Sequence, residues 1–78
     1  LTLEEQLEQL VRQMVDVRDE VEIERIETPE ATLFELHLAE EDLGKVIGRQ
    51  GRTARAIRTL LAERGARDGE RYEFEIVD

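Results

Sequence analysis

The chain has 78 residues, 40% of them charged, and a net charge of −9 at pH 7. It contains no Cys, Ser, Asn or Trp, one His and one Lys, which excludes disulfides, thiolate metal sites and Ser-His or Cys-His nucleophilic catalysis. No apolar run approaches the roughly 20 residues that span a bilayer, and no signal-peptide pattern is present, so one small domain over residues 1–78, soluble and cytoplasmic, is expected.

Thr2 followed by Glu5 forms a capping box, and Leu3, Leu7, Leu10, Val11, Met14 and Val15 recur at spacings of three and four. That pattern predicts an amphipathic helix over about 3–15, with Met14 in the core. Residues 21–27 alternate apolar and charged and read as a strand, although Arg25-Ile26 breaks the phase. Thr28-Pro29-Glu30 is a turn. A second strand over 32–38 sends Phe34, Leu36 and Leu38 one way and Leu33, Glu35 and His37 the other. Glu40, Glu41 and Asp42 place negative charge at the start of a short helix over about 41–47, where the macrodipole favours it. Gly48 ends that helix, Gly51 precedes another over about 52–64, and Gly65 is its expected C-cap. Tyr72 to Val77 closes the chain as a strand. The order helix, strand, strand, helix, helix, strand makes an α+β fold. Strands with one apolar and one charged side imply a sheet with helices on one face and water on the other. His37 falls on the wet face without a companion that would make a metal site, so no metal is expected.

Charge is unevenly spread. Residues 1–40 hold three Arg against twelve acidic side chains, a net of −9, whereas residues 41–78 hold eight basic and eight acidic ones, a net of zero. Between 45 and 67 seven cations, Lys45, Arg49, Arg52, Arg55, Arg58, Arg64 and Arg67, face one acid, Glu63. Such asymmetry favours an anionic partner on one side of the molecule. Carboxylates are plentiful but mostly fall on solvated faces, and with the common nucleophiles missing no catalytic residue and no enzymatic activity are assigned.

The informative segment is Gly44-Lys45-Val46-Ile47-Gly48-Arg49-Gln50-Gly51-Arg52. It lacks the upstream glycine of a P-loop and does not follow a strand, its glycine spacing is wrong for a dinucleotide fingerprint, and no apolar 20-mer makes Gly44 and Gly48 a membrane motif. A plain glycine-capped helix–turn–helix is one reading. A phosphate-backbone clamp is the other: Gly48 and Gly51 let a sugar-phosphate chain approach the peptide, Gly51 opens onto a helix N-terminus, and Arg49 and Gln50 can donate to phosphate or ribose oxygens, with Lys45 and Arg52 on the same edge.

Val46 to Gly51 matches the Ile-Gly-x-x-Gly signature of KH domains, and the element order resembles their type II arrangement. With Glu41 to Gly48, Gly51 to Thr59 and the closing strand to Asp78, essentially the whole chain is similar to the small bacterial single-KH family known as KhpA. The resemblance implies a three-stranded sheet with three helices on one face. It also implies a loop that holds about four unpaired nucleotides of RNA by their backbone, and no cofactor. The implied RNA-binding residues are Lys45, Val46, Ile47, Gly48, Arg49, Gln50, Gly51, Arg52 and Arg55, with bases over an apolar strip whose helix side is Val46, Ile47 and Ala54. Members of the family are thought to act as RNA chaperones, as homodimers or with a larger KH-containing partner, and are linked to cell shape in some bacteria.

A protein-interaction adaptor is the competing reading. Ala54, Ile57 and Leu61 make the core stripe of the 52–64 helix, and Thr53, Ala56 and Leu60 form a second stripe beside it. That second stripe is either an interface for another copy or partner, or an extension of the core beneath the first helix.

Overall fold

The computed structural model describes residues 1–77; Asp78, the end of the closing strand as read from sequence, lies outside the described residues. Helix α1 spans Leu3–Arg12, strand β1 Glu22–Glu27, β2 Thr32–His37, helix α2 Leu43–Ile47, α3 Arg52–Asp68 and β3 Tyr72–Val77, with single 3-10 turns at Arg18–Glu20, Glu40–Asp42 and Arg49–Gly51. The expected element order is the observed one. β2 is the central strand, antiparallel to β1 and parallel to β3.

Register explains the core. Ile23, Leu36 and Ile76 share one rung, and Arg25, Phe34 and Phe74 the next, all on the helix-covered side. Phe34, Leu36, Val11 and Val46 are fully enclosed, and Leu7, Val15, Val21, Ile57 and Leu61 complete the cluster. The broken phase at Arg25 is real: its guanidinium lies 5.6 Å from the centroid of the Phe34 ring and reaches Glu4 at 3.6 Å and Glu27 at 3.2 Å. A cation can hold this inward position because its stem packs on the ring while its head finds carboxylates at the sheet edge. Among the described residues the opposite face carries no helix.

Two boundaries differ from the sequence reading. α1 stops at Arg12, not near residue 15, because the buried Asp42 carboxylate accepts from the amides of Asp16 (3.2 Å) and Val17 (2.9 Å) and draws that segment out of the helical path. Asp42 therefore serves as a tie between two connections and makes no capping hydrogen bond to α2. Gly65 is not a C-cap. α3 runs through it to Asp68 and ends at Gly69 in a left-handed conformation (φ 72°), with the Glu70 amide donating to Gly65 O (2.7 Å) and the Gly69 amide to Ala66 O (3.4 Å), a Schellman ending. Gly65 is required for a different reason: a Cβ there would lie 2.7 Å from Glu70 O and 3.1 Å from Tyr72 N, where the chain turns back into β3.

Candidate functional site

Gly48 to Gly51 joins α2 to α3 through a backbone that side chains resist. Gly48 has φ 77° and ψ 172°, Gln50 φ 56° and Gly51 φ 73°. The Gly51 amide closes the turn on Gly48 O at 3.1 Å. A Cβ on Gly48 would meet Thr53 Oγ1 at 2.3 Å, so the loop folds against the first turn of α3 only because that position is bare. No side chain caps α3, a 17-residue helix; the Arg52 amide already donates to Arg49 O, and the partial positive charge of the helix start lies beside the loop.

Arg49, Gln50, Arg52 and Arg55 are exposed around this turn, and Arg52 Nη2 contacts Gln50 Oε1 at 3.4 Å. Ile47, 41% exposed, presents an apolar side chain next to the glycines. Three guanidiniums, a helix N-terminus and glycine backbone thus converge on one edge, an arrangement suited to an extended polyanion.

Three sequence-assigned residues stand elsewhere. Val46 and Ala54 are enclosed in the core, so their side chains cannot floor a base-binding strip; of the three expected on its helix side, Ile47 alone is accessible. Lys45 reaches away from the loop and binds the carboxylates of Asp16 and Asp42, the latter at 3.2 Å. The hydrogen bond to Asp16, then that to Asp42, raises its pKa above the ordinary lysine value. Its charge is spent on the tie between α1 and α2.

Arg58 is not among the residues that the sequence assigns to the loop site. It belongs to the basic run, but its surroundings could not be read from the run. Its guanidinium stands 6.0 Å from the centroid of the Phe74 ring and donates to Phe74 O at 3.4 Å, on a cleft of about 670 Å³ between α3 and β3 lined also by Ala62, Ala66 and Tyr72.

On the far side of α3, Thr53 is partly covered, while Ala56 and Leu60 are exposed, Leu60 at 60%. Leu60 therefore does not extend the core of its own chain. It stands over a groove of about 300 Å³ between α1 and α3, with Leu3, Leu7 and Leu10 on one wall and Arg64 and Arg67 at the rim.

His37 does have companions. Register places Glu24 opposite Glu35, and His37 lies two residues along on the same face, with its Nε2 3.8 Å from Glu35 Oε1. The sequence could not show this, because Glu24 and His37 are brought together only by the pairing of β1 with β2.

A family model described as KhpA/KhpB, KH domain, matches residues 4–76. The chain is 46% identical over 74 residues to an RNA-binding protein KhpA of Borreliella burgdorferi, covering 95% of this chain and 90% of the relative. It is 39% identical over 71 residues to one from Clostridium acetobutylicum, covering 91% and 95%. With one from Bacillus subtilis the identity is 40% over 76 residues, covering 97% and 94%. No solved structure gives a significant match.

Proposed function

The chain belongs to the KhpA/KhpB KH-domain family, and from that premise we propose that it binds single-stranded RNA through Gly48-Arg49-Gln50-Gly51. The observation that carries this reading is the loop itself: glycines at positive φ, held against an uncapped helix N-terminus, with Arg49, Arg52 and Arg55 exposed around them. Backbone amides and guanidiniums both recognise phosphate, and the bare glycines let the sugar-phosphate chain come close. Ile47 supplies the apolar contact for a base, and about four nucleotides are held. A grip on so few nucleotides specifies little sequence, which suits an RNA chaperone or a post-transcriptional regulator in the cytoplasm rather than a reader of one long site.

The same reading includes a second copy of the chain, or a larger KH-containing partner, over the stripe of Thr53, Ala56 and Leu60. The exposure of Leu60 above the α1–α3 groove supports it, since an apolar side chain beside a small one lets another helix approach.

Replacing both Arg49 and Gln50 with Asp tests the clamp. Both are exposed, so the fold should survive, while two carboxylates at contact distance from phosphate should abolish binding to a short single-stranded RNA. Undiminished affinity in a folded double variant would refute the assignment.

A further inference from the structure

The helix-free face of the sheet carries a row of carboxylates set by register. Glu24, Glu35 and Glu75 occupy one rung across β1, β2 and β3, and Glu22, His37 and Val77 the next. Like charges directly opposed on neighbouring strands destabilise a sheet. Among the described residues no Lys or Arg pairs with Glu24, Glu35 or Glu75. The chain's one imidazole projects into this row. A donor atom from each of Glu24, Glu35 and His37 lies within 4.8 Å of the other two.

We propose that Glu24, Glu35 and His37 form a binding site for a divalent transition metal of the zinc class, with water completing the coordination. Carboxylates alone would attract any cation loosely. An imidazole nitrogen among them changes the chemistry, because mixed nitrogen and oxygen donors suit Zn²⁺, whereas Mg²⁺ and Ca²⁺ prefer all-oxygen sets. Tetrahedral bonds of about 2.0–2.2 Å place two ligand atoms roughly 3.3–3.6 Å apart, so the donors must close by up to about 1.5 Å. The side chain of Glu24 is exposed and that of His37 is 42% exposed, so rotamer changes supply this movement without shifting either strand. The backbone has already done the placing: Glu35 and His37 share a face two residues apart, and Glu24 is fixed across from Glu35. A bound ion would clip the outer strand β1 to the central strand and neutralise part of the repelling row. It would do so on the opposite side of the sheet from the helices, and so without competing for the loop.

The test uses tag-free protein stripped of metal with a chelator and titrated with Zn²⁺ alone. Thermal unfolding and the ring resonances of the single histidine are followed together. The expected result is a saturable one-to-one shift of the His37 ring signals and a melting temperature that rises with free Zn²⁺. His37→Gln, at a partly exposed sheet position, should remain folded by circular dichroism and bind at least about tenfold more weakly, since even the loss of an outer-shell partner costs that much. Glu24→Gln should weaken binding in the same way, and Mg²⁺ at equal concentration should not reproduce the shift. Equal Zn²⁺ binding by the wild type and a folded His37→Gln would overturn the proposal. An equal response to Mg²⁺ would do so too, since either result means only diffuse attraction of cations to an acidic face. Absence of any saturable response would overturn it as well.

Discussion

Two glycines four residues apart should respond to alanine with opposite signs. Gly48 combines φ 77° with ψ 172°, a region essentially reserved for glycine, and a Cβ there would sit 2.3 Å from Thr53 Oγ1 and 2.8 Å from Thr53 Cβ. Holding a non-glycine residue in that region costs about 1–3 kcal/mol, and forcing an extra methyl into filled space adds about 1–3 kcal/mol. The total native stability of a 78-residue domain is only about 4–12 kcal/mol. Gly48→Ala should therefore lower the melting temperature by roughly 10 °C or more, at about 4–8 °C per kcal/mol. If the loop relaxes to avoid the strain, part of that loss appears instead as lost RNA affinity. Gly44 lies exposed in α2 with nothing within 4 Å of its Cβ position, so Gly44→Ala should stabilise by about 0.5–1 kcal/mol through helix propensity. Thr53→Ala in the Gly48→Ala background removes the hydroxyl but not the Cβ contact, so it should rescue only partly. Thermal unfolding and RNA titration of the four proteins decide the matter. Wild-type stability together with wild-type affinity in Gly48→Ala would refute the argument from loop geometry, as would equal losses in Gly44→Ala and Gly48→Ala.

Leu60→Asp should give a folded protein that sediments as a monomer at concentrations where the wild type self-associates, because the side chain is already outside its own core; a wild type that is monomeric at high concentration would refute the homodimer. The Asp42 carboxyl is held below its ordinary value of 3.8 by the Val17 amide first, then by the Asp16 amide and Lys45, against the opposing effect of burial. A depressed folded pKa gives stability that is complete above the unfolded value and lost as pH falls through the folded one, so melting temperature should drop below about pH 4. Asp42→Asn should be less stable than the wild type at pH 7 and should show a shallower acid decline in melting curves. RNA affinity should fall with salt at a log–log slope of roughly −1.5 to −2, corresponding to about two or three phosphate contacts; a titration steeper than about −5 would require a much longer track.

The element order and the loop were legible because both are local. Glycines at 48 and 51 break two periodic segments, and alternation in 32–37 and 72–77 marks the strands. What could not be read was tertiary. Asp42 looked like a favourable charge at a helix start, yet its carboxylate serves amides 25 and 26 residues away, which shortens α1 and consumes Lys45. Val46 and Ala54 looked like an apolar strip facing a ligand, but the sequence could not say which side of that strip the sheet would cover. Gly65 reads as the cap by sequence, yet the cap is Gly69, because the close return of β3 to α3 at Gly65 is a tertiary contact.

The net charge of −9 acquires a structural meaning once the faces are separated. Glu22, Glu24, Glu35, Glu73 and Glu75 lie on the helix-free side of the sheet, whereas Arg49, Arg52 and Arg55 gather at the start of α3. At physiological ionic strength charges more than about 8 Å apart are largely screened. A polyanion approaching the sheet is repelled, and one approaching the loop meets guanidiniums before it feels the distant acids. Such a protein gains little from long-range attraction, so under the proposed reading its affinity comes from contacts at the loop. Arginine suits that role better than lysine, because its planar fork keeps two parallel donors on a phosphate. The one lysine of this stretch is the cation the fold withdraws for its own use, and the cations left around the loop are all arginines. An acidic chain can then select an extended polyanion by geometry at one edge while its remaining surface keeps it from coating nucleic acid indiscriminately.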